Sequence, residues 1–281
     1  MRAHIVPLVL VAAVMLIGTR GHARPAAPAS QAATAPASQP PAAPAVPPAA
    51  LRPLSRDQLA IDLRVDVPVT GALGVAALTL TLTESKLGPH QCRWCEPRLN
   101  ALDSAGRDAR WKGHEKAADW MADATAYVVG PGIAFGLVSW AAAKEGGLRQ
   151  VTVDDLVILE AMAITAATVS GVKYAAARRR PYVRDRAAGS ATGGDDNLSF
   201  PSGHTSLAFS IATASGTVAT LRGYRVAPWV WGAGMTVAAF TGYLRLAADK
   251  HYASDAIVGA AIGSLVGWAV PYLHHKLRKR R

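Results

Sequence analysis

Three short motifs contain most of the side chains in this chain that could carry out a reaction. They are the segments Lys173 to Pro181 (KYAAARRRP), Pro201 to His204 (PSGH) and Arg245 to Asp255 (RLAADKHYASD). Together they supply lysine, arginine, two histidines, hydroxyl groups and a carboxylate. These groups are sufficient to bind a phosphate and to attack it with a histidine nitrogen.

The first motif follows a long apolar segment. Lys173 and Arg180 are seven residues apart, so on a continuous helix they share one face two turns apart. Pro181 is expected to end that helix, because its ring removes a backbone donor and clashes with the preceding turn. Three consecutive arginines, Arg178 to Arg180, could equally anchor the chain at lipid headgroups.

The second motif directly precedes another apolar segment and is expected to form the first turn of its helix. Free backbone N–H groups in a first turn attract phosphate, and Gly203 would let phosphate oxygens approach closely. Ser202 and His204 flank this glycine. The same four residues could alternatively form only a turn.

In the third motif, His251 precedes Asp255 by four residues. If the helix begins by His251, the carboxylate can meet one imidazole nitrogen and leave the other free to attack. Arg245 would offer a planar fork of N–H groups to phosphate oxygens. An HxxxD pair on a helix is also frequently structural.

Five segments of 17 to 20 residues are apolar and almost uncharged. They are Ala124–Ala143, Leu156–Val172, Thr205–Leu221, Val226–Leu244 and Ala256–Leu273. This length suits a helix that crosses a hydrocarbon layer about 30 Å thick. A sixth segment, Val67–Thr83, is bounded closely by Asp66 and Glu84. The sequence therefore predicts an all-α, membrane-embedded bundle of five to six transmembrane helices.

A soluble helical bundle fits the sequence less well, because its helices would need charged outer faces. Four of the five segments contain no Asp, Glu, Lys, Arg or His. Glu160 is the exception. A carboxylate inside a membrane is a functional candidate, but its place near a helix end favours a structural role.

Small residues recur at close spacing in two of the segments. They are Gly259, Gly263 and Gly267 in one, and Gly130, Gly132 and Gly136 in the other. In lipid the hydrophobic effect no longer drives helices together, and small residues let their backbones approach. Both stripes are therefore expected to lie at helix–helix contacts.

The N-terminal residues are typical of targeting and linker sequence. Residues 1–23 contain Arg2, an apolar stretch and a small-residue pattern ending at Ala23, as in a secretory signal peptide; an uncleaved anchor is the alternative. Residues 24–51 are almost wholly Ala, Pro, Ser, Gln and Thr, which predicts a disordered tether. Residues 52–281 would then form the helical membrane domain.

The net charge limits the classes of partner. The chain has 30 Lys and Arg against 19 Asp and Glu, a formal net charge of +11, which suits anionic headgroups, phosphate substrates or nucleic acid. The basic residues lie between long uncharged segments with little aromatic interleaving, which argues against nucleic acid. Membrane lipids are the expected partners, and the sequence makes no prediction about oligomeric state.

Cys92 and Cys95 are the only two cysteines. In an exported protein, this CRWC spacing is most simply a local disulfide. A zinc site that also uses His90 and His114 is the alternative, whereas no thioredoxin-like pattern supports a redox-active pair. Apart from that alternative, no metal or cofactor is expected.

The order of the motifs, K-x6-R-P, then P-S-G-H, then S-R-x5-H-x3-D, resembles the signature of the type 2 phosphatidate phosphatase superfamily. That superfamily includes bacterial soluble acid phosphatases and vanadium haloperoxidases. The resemblance covers Leu156 to Tyr272. One position departs from it, because Leu244 stands where the signature has Ser before the arginine.

The resemblance implies a phosphatidate phosphatase/haloperoxidase-like helical core. A metal-independent reaction is predicted separately, because the sequence offers no carboxylate cluster that could hold a catalytic metal. His251 would be the nucleophile that forms a phosphohistidine, Asp255 would orient it, and His204 would protonate the leaving oxygen. Water would then hydrolyse the phosphohistidine. The residues expected to bind the phosphate are Lys173, Arg180, Ser202, Gly203 and Arg245.

A catalytic site at the ends of membrane helices favours hydrolysis of a phosphomonoester or pyrophosphate on a membrane lipid. An exported acid phosphatase for small soluble phosphomonoesters is one alternative. A non-catalytic transporter or binding protein for anionic lipids is another.

Two signals for membrane orientation disagree. The basic tail at residues 276–281 favours a cytoplasmic C-terminus. This predicts a multi-pass protein of a bacterial-type inner membrane with its active site on the outer, periplasmic face. A cleaved signal peptide followed by a true span at Val67–Thr83 would place the site inside instead, so the prediction of an outer site treats that segment as the weakest of the six.

Overall fold

The computed structural model describes Leu59, residues 61–186 and residues 193–278. The predicted signal peptide and Ala/Pro-rich tether lie outside these residues. All regular secondary structure in the described part is helical, and one isolated bridge joins Trp94 and Arg178. The predicted all-α class is therefore confirmed.

Each of the six predicted apolar segments lies in helical structure. In chain order the helices are α1 (Leu63–Leu82), α2 (Glu84–Leu87), α3 (Ala101–Arg107), α4 (Glu115–Ala124), α5 (Gly130–Ala176), α6 (Pro181–Arg184), α7 (Gly203–Arg222), α8 (Ala227–Ala247) and α9 (Ala253–Arg278). A π-helical turn, Thr125–Val129, joins α4 to α5, and a 3₁₀ turn, Gly194–Asn197, precedes α7.

Helix α5 is a hairpin of two helical halves. Its backbone breaks at Gly147, where φ is 69° and ψ is −163°, a conformation that residues with a Cβ rarely adopt. The hydroxyl of Ser139 donates to Asp155 at 2.7 Å, although 16 residues of continuous helix would separate them by about 24 Å. The halves therefore run back along each other, which accounts for two separate apolar segments inside one long helix.

Three helical stretches of the described chain are long and apolar enough to cross a membrane. They are Leu63–Leu82, the continuous stretch Glu115–Ala176, and Ala253–His275. The first covers all but the last residue of the weakest predicted segment, Val67–Thr83, and the second contains both halves of the α5 hairpin. Length and composition thus support a chain that passes through the membrane more than once.

Helix α7 lies at the centre of the bundle, where α5, α8 and α9 all pack against it. Most of its side chains are buried, including Ser210, Thr213 and Ser215. The hydroxyl of Thr165 on α5 donates to Ser210 at 2.9 Å. Since its neighbours cover α7 on several sides, it can carry hydroxyl residues, and for that reason it is less apolar than the outer helices.

The first glycine stripe brings α9 directly onto α7. A Cβ added at Gly259 would lie 2.8 Å from the carbonyl oxygen of Ser202, and one at Gly267 would lie 2.6 Å from that of Ser210. A Cβ at Gly263 would overlap the carbonyl oxygen of Ser206. The α7 backbone therefore occupies the space that side chains would need, as expected for this stripe.

The second glycine stripe behaves differently. A Cβ at Gly132 or Gly136 would meet nothing within 4 Å, and one at Gly130 would meet only the carbonyl oxygen of Thr125 in the preceding turn. The prediction that these glycines lie at a close helix contact is therefore wrong. Gly132 and Gly136 share the four-residue spacing of the first stripe, but they face open space.

Glu160 joins helices instead of lining the motif cluster. Its Oε2 lies 2.8 Å from Nε2 of His274 on α9, and a carboxylate oxygen of Asp66 on α1 lies within 4.8 Å of both groups. Glu160 precedes Lys173 by 13 residues, about 20 Å along α5. Its position supports the structural role favoured above.

The α7–α9 contact predicts the effect of one added methyl group. Gly263→Ala should destabilise the protein by about 1–3 kcal/mol, because overpacking forces the backbones apart. Gly132→Ala is the matched control and should be neutral or stabilising by up to about 1 kcal/mol, since alanine favours helix. Thermal unfolding of the two variants in detergent measures the difference. Equal unfolding temperatures would show that α9 does not need glycine at this contact.

Candidate active site

The three motifs meet at one end of the bundle, but the first motif does so by a different route from the one predicted. Helix α5 ends at Ala176, and Ala177 has a left-handed conformation with φ 43°. Arg180 then lies in extended backbone, and Pro181 opens α6. The predictions that Lys173 and Arg180 share one helix and that Pro181 ends it are therefore wrong. A tight turn, not helical periodicity, brings the two cations together.

The third motif also differs from the expected geometry. Helix α9 begins at Ala253, so His251 lies before the helix and not within it. The distance from its Nδ1 to Oδ2 of Asp255 is 3.6 Å, which is too long for a hydrogen bond. The two groups lie at ion-pair distance, but the direct hydrogen bond expected from the four-residue spacing is absent, because its condition, a helix that begins by His251, is not met.

A backbone carbonyl orients His251 instead. Nδ1 of the imidazole lies 2.7 Å from the carbonyl oxygen of Ser199. Because a carbonyl can only accept, Nδ1 carries the proton and Nε2 retains its lone pair. Nε2 lies 3.3 Å from Nη1 of Arg180. The nitrogen with the lone pair is thus the one that lies beside a phosphate-binding candidate.

Asp255 acts on His251 through this backbone. Its Oδ2 accepts from the hydroxyl of Ser199 at 2.5 Å and from the backbone N–H of Tyr252 at 2.9 Å. Ser199 supplies the carbonyl that bonds to His251, and Tyr252 is the residue that follows His251 in sequence. The carboxylate therefore fixes both segments that determine the orientation of the ring.

Arg178 supports Asp255 and is not a headgroup anchor. Its guanidinium is almost completely buried and donates to Asp255 at 2.5 Å, to Asp103 at 2.7 Å and to Ser254 at 2.7 Å. The sequence offered no signal for Asp103, which lies on α3 about 75 residues earlier. By contrast, Arg179 is exposed and donates to Sγ of Cys92.

The loop between α2 and α3 covers this buried arginine. Cys92 and Cys95 form a disulfide, so neither sulfur is a thiolate available to zinc. Between them, Trp94 stacks on the guanidinium of Arg178 at 4.3 Å and meets the ring of Phe200 edge-on at 5.1 Å. The CRWC segment is therefore part of the structure that holds the His251 region in place.

The candidate phosphate-binding residues line a single cavity of about 580 Å³, with one exception. At its polar end lie Lys173, Arg180, Gly203, His204, Arg245 and His251. Ser202 is the exception, because its buried hydroxyl bonds to Thr205 at 2.9 Å and does not line the cavity. Nε of Arg245 is buried and has no hydrogen-bond partner among the described residues, so it is an available donor.

Four carboxylates, none of them predicted from the sequence, pair with the cations and the imidazole of the cavity. The pairs are Lys173 with Glu84 at 3.2 Å, Arg180 with Asp195 at 2.6 Å, Arg245 with Asp119 at 2.5 Å, and His204 with Asp123 at 2.6 Å. Of these carboxylates, only Glu84 also lines the cavity. Each cation at the polar end therefore has a carboxylate partner, and this end is still rich in N–H donors.

Burial and neighbouring charges set the protonation state of His251. Burial lowers the pKa of the imidazole well below its ordinary value of 6.5, and the nearby charges of Arg180, Arg245 and Lys173 lower it further. Because the pKa is lowered, the imidazole remains neutral down to a lower pH. His251 thus stays neutral under mildly acidic conditions in which a free imidazole would be protonated.

Away from its charged end, the same cavity has apolar walls. Helix α1 contributes Gly74, Ala77 and Leu78, and the second half of α5 contributes Leu159 and Met162. These side chains belong to helices long and apolar enough to cross a membrane. The cavity therefore joins a phosphate-sized cluster of donors to a surface suited to hydrocarbon.

Leu244, the one departure from the expected signature, is fully buried. It packs in an apolar cluster with Ala118 and Ala122 of α4 and with Ala247 of its own helix. Helix α4 is the element that carries Asp119 and Asp123. The leucine thus lies where α8 contacts the helix that supplies two of the four carboxylates.

Residues 155–279 match the sequence profile of the PAP2 superfamily. This region of the chain belongs to that superfamily. The match confirms the resemblance inferred from the motifs, and residues 155–279 are called the PAP2 region below. Glu84, Asp119 and Asp123 all lie outside the PAP2 region.

Two known proteins are similar to this chain. A lipid A 1-phosphatase from Porphyromonas gingivalis is 41% identical over 106 residues, which cover 38% of this chain and 20% of that protein. The match thus spans about a fifth of the length of that relative. The crystal structure of a transmembrane PAP2-type phosphatidylglycerolphosphate phosphatase from Bacillus subtilis is 19% identical, with a TM-score of 0.44, and covers 75% of this chain and 98% of the other.

The buried position of Arg178 predicts a large effect of its removal. Arg178→Met should destabilise the protein by about 3–5 kcal/mol, because it leaves Asp103 and Asp255 buried without their cation. Arg179→Met is the matched control at the next position, where the exposed side chain should contribute within about 0.5 kcal/mol. Denaturant unfolding in mixed micelles compares the two variants. A similar small effect of both would contradict a supporting role for Arg178.

Proposed function

We propose that the protein hydrolyses a phosphomonoester or pyrophosphate on a membrane lipid through a phosphohistidine intermediate. One observation carries this proposal: a single cavity joins the His251 nucleophile and its surrounding cations to apolar walls on membrane-type helices. A lipid phosphate matches both parts of this cavity, because its anionic headgroup suits the cations and its hydrocarbon chains suit the apolar walls. The similarity of 106 residues of this chain to a lipid A 1-phosphatase supports the same substrate class.

In the first step, Lys173, Arg180 and Arg245 hold the phosphate oxygens, and backbone N–H groups at the start of α7 add donors. The Nε2 lone pair of His251 attacks phosphorus as the bond from phosphorus to the lipid oxygen breaks. His204 gives a proton to that oxygen, so the lipid leaves as an alcohol or, from a pyrophosphate, as a lipid monophosphate.

In the second step, His204 accepts a proton from water as the water oxygen attacks phosphorus. The phosphorus–nitrogen bond breaks, its electron pair returns to Nε2 of His251, and inorganic phosphate is released. The proton on Nδ1 remains bonded to the Ser199 carbonyl throughout. This contact stabilises the positive charge that the ring carries while it is phosphorylated.

The rate acceleration that phosphate-ester hydrolysis needs is too large for any one of these groups to supply alone. Uncatalysed hydrolysis of a phosphate monoester needs up to about 10²¹-fold acceleration, of which one general acid supplies about 10²- to 10⁴-fold. Covalent catalysis, positioning and dense positive charge must supply the remainder. In the part of the chain that the structure describes, the group of carboxylates and histidine with metal-ligand spacing is Asp66, Glu160 and His274, which do not line the cavity. We therefore propose metal-independent turnover.

We also propose that the site faces the outer side of the membrane. The Cys92–Cys95 disulfide lies at the active-site end of the bundle, through Trp94 and Arg178, and disulfides persist in oxidising compartments. The basic tail follows the opposite end of α9 and favours a cytoplasmic location. If α1 crosses the membrane, this orientation places its N-terminal end on the cytoplasmic side. Cleavage of a signal peptide at Ala23 would leave that end on the outer side, so the two predictions are incompatible.

An assay with purified protein in detergent tests the activity. Lipid phosphates and pyrophosphates should release phosphate faster than soluble phosphomonoesters, and a chelator should leave the rate unchanged. His251→Ala should lose at least about 10³-fold in rate, because no other group replaces the nucleophile. His275→Ala, a histidine near the opposite end of α9, is the matched control and should keep the wild-type rate.

Each other result of this assay has a definite meaning. Turnover of soluble esters alone would identify an exported acid phosphatase. Wild-type phosphate release from His251→Ala would rule out the phosphohistidine. Loss of activity with a chelator and recovery with Mg²⁺ would overturn metal-independent turnover.

Thiol labelling tests the orientation. After mild reduction of intact spheroplasts, a membrane-impermeant maleimide should label Cys92 and Cys95, and permeabilisation should add little. The Cys92→Ser/Cys95→Ser variant gives the background. Labelling that appears only after permeabilisation would place the site on the cytoplasmic face.

A further inference from the structure

A helix outside the PAP2 region presents three polar residues to the active site at four-residue spacing. Asp119 pairs with Arg245, Asp123 bonds to His204, and the ring of Tyr127 meets the His204 imidazole edge-on at 5.1 Å. Residues four apart on a helix share a face. The α4 helix and the π turn after it therefore direct one continuous face at the phosphate-binding residues.

We propose that Asp123 is a positioning residue for His204, which makes α4 a part of the proton-transfer apparatus. The carboxylate would hold the ring in the orientation and tautomer that deliver a proton to the leaving oxygen. This inference rests on the proposed phosphatase function. It assigns to Asp123 a role that the three motifs do not contain.

The hydrogen bond between the two residues determines which ring nitrogen is available. Oδ1 of Asp123 lies 2.6 Å from Nε2 of His204. An ionised carboxylate only accepts, so Nε2 donates to it, and Nδ1 is the nitrogen left for the substrate. A histidine whose second nitrogen is held by a carboxylate keeps a defined tautomer and ring orientation.

The charges around His204 explain why a carboxylate is needed there. Burial of the His204 ring disfavours a protonated imidazole, and the cations Arg245 and Lys173 at the same cavity end disfavour it further. Asp123 supplies an opposite charge in direct contact and offsets this repulsion. Without it, the ring would spend less time in the protonated form that a general acid requires.

The position of Asp123 is itself fixed by packing. Ala118 and Ala122, which directly precede Asp119 and Asp123 in sequence, are fully buried against α8. The hydroxyl of Thr125 in the π turn accepts from Thr241 of α8 at 2.9 Å. A π turn shifts the face that the next residues present and occurs frequently at functional sites. Here it brings Tyr127 onto the His204 ring.

Two esters that differ only in the leaving group separate proton transfer from binding. One is the phosphate of a long-chain alcohol, which leaves only after protonation. The other is the phosphate of a nitrophenol with an alkyl chain of the same length, which leaves as a stable anion. Asp123→Asn should lower kcat for the alkyl ester by about 10²-fold and for the nitrophenyl ester by less than about 5-fold. KM should change little for either ester.

Matched variants show whether this pattern belongs to Asp123. Asp119→Asn, one turn earlier, removes the partner of Arg245 and should lower turnover of both esters by the same factor. His204→Gln should reproduce the leaving-group pattern, and adding Asp123→Asn to it should cause no further loss. If Asp123→Asn fails to fold, Asp123→Glu keeps the charge with a displaced oxygen and should show a smaller loss of the same pattern.

The results separate this inference from the function on which it depends. Equal losses on both esters in Asp123→Asn and Asp123→Glu, with an active wild-type protein, would overturn the role of Asp123 and leave the phosphatase standing. An additive loss in the double variant would do the same. No turnover of either ester by the wild-type protein would overturn the proposed function and this inference together.

Discussion

Positive charge that is gathered in a buried cavity must be balanced before substrate arrives, and much of the structure around the site follows from this requirement. Lys173, Arg180, His204 and Arg245 each lie within 3.2 Å of a carboxylate oxygen. A buried charge without its partner costs about 3–5 kcal/mol. Three of the carboxylates, Glu84, Asp119 and Asp123, lie outside the PAP2 region, and the segments that carry them are held against it by the same cations that would bind phosphate.

The sequence predicted the helices and the place where the motifs meet, because both depend on local patterns. Long apolar segments predict helices, and motifs next to them predict a site at the helix ends. The hydrogen bond predicted between His251 and Asp255 does not form, because α9 begins only at Ala253 and the imidazole bonds to a backbone carbonyl instead. A shift of two residues at a helix boundary is enough to change which group orients the ring.

The remaining differences between the sequence predictions and the structure arise where a sequence pattern does not show which residues it will contact in the folded protein. Glu84, Asp103 and Asp123 lie in short helices with no fixed spacing to the motifs, so only the tertiary structure reveals their roles. The two glycine stripes have similar spacing, yet Gly263 touches the α7 backbone and Gly132 faces open space. Spacing identifies a face of a helix, but the topology determines what that face meets.

Leu244 shows how such long-range partners can become dependent on one another. A serine at this position would place a hydroxyl in an apolar cluster without an evident hydrogen-bond partner, at a cost of about 1–3 kcal/mol, and would leave a gap beside Ala118 and Ala122 of α4. The leucine and the small residues of α4 thus form an epistatic pair, in which either side constrains change in the other. Exchange of this one signature position between related chains would succeed only if the facing surface of α4 were exchanged with it.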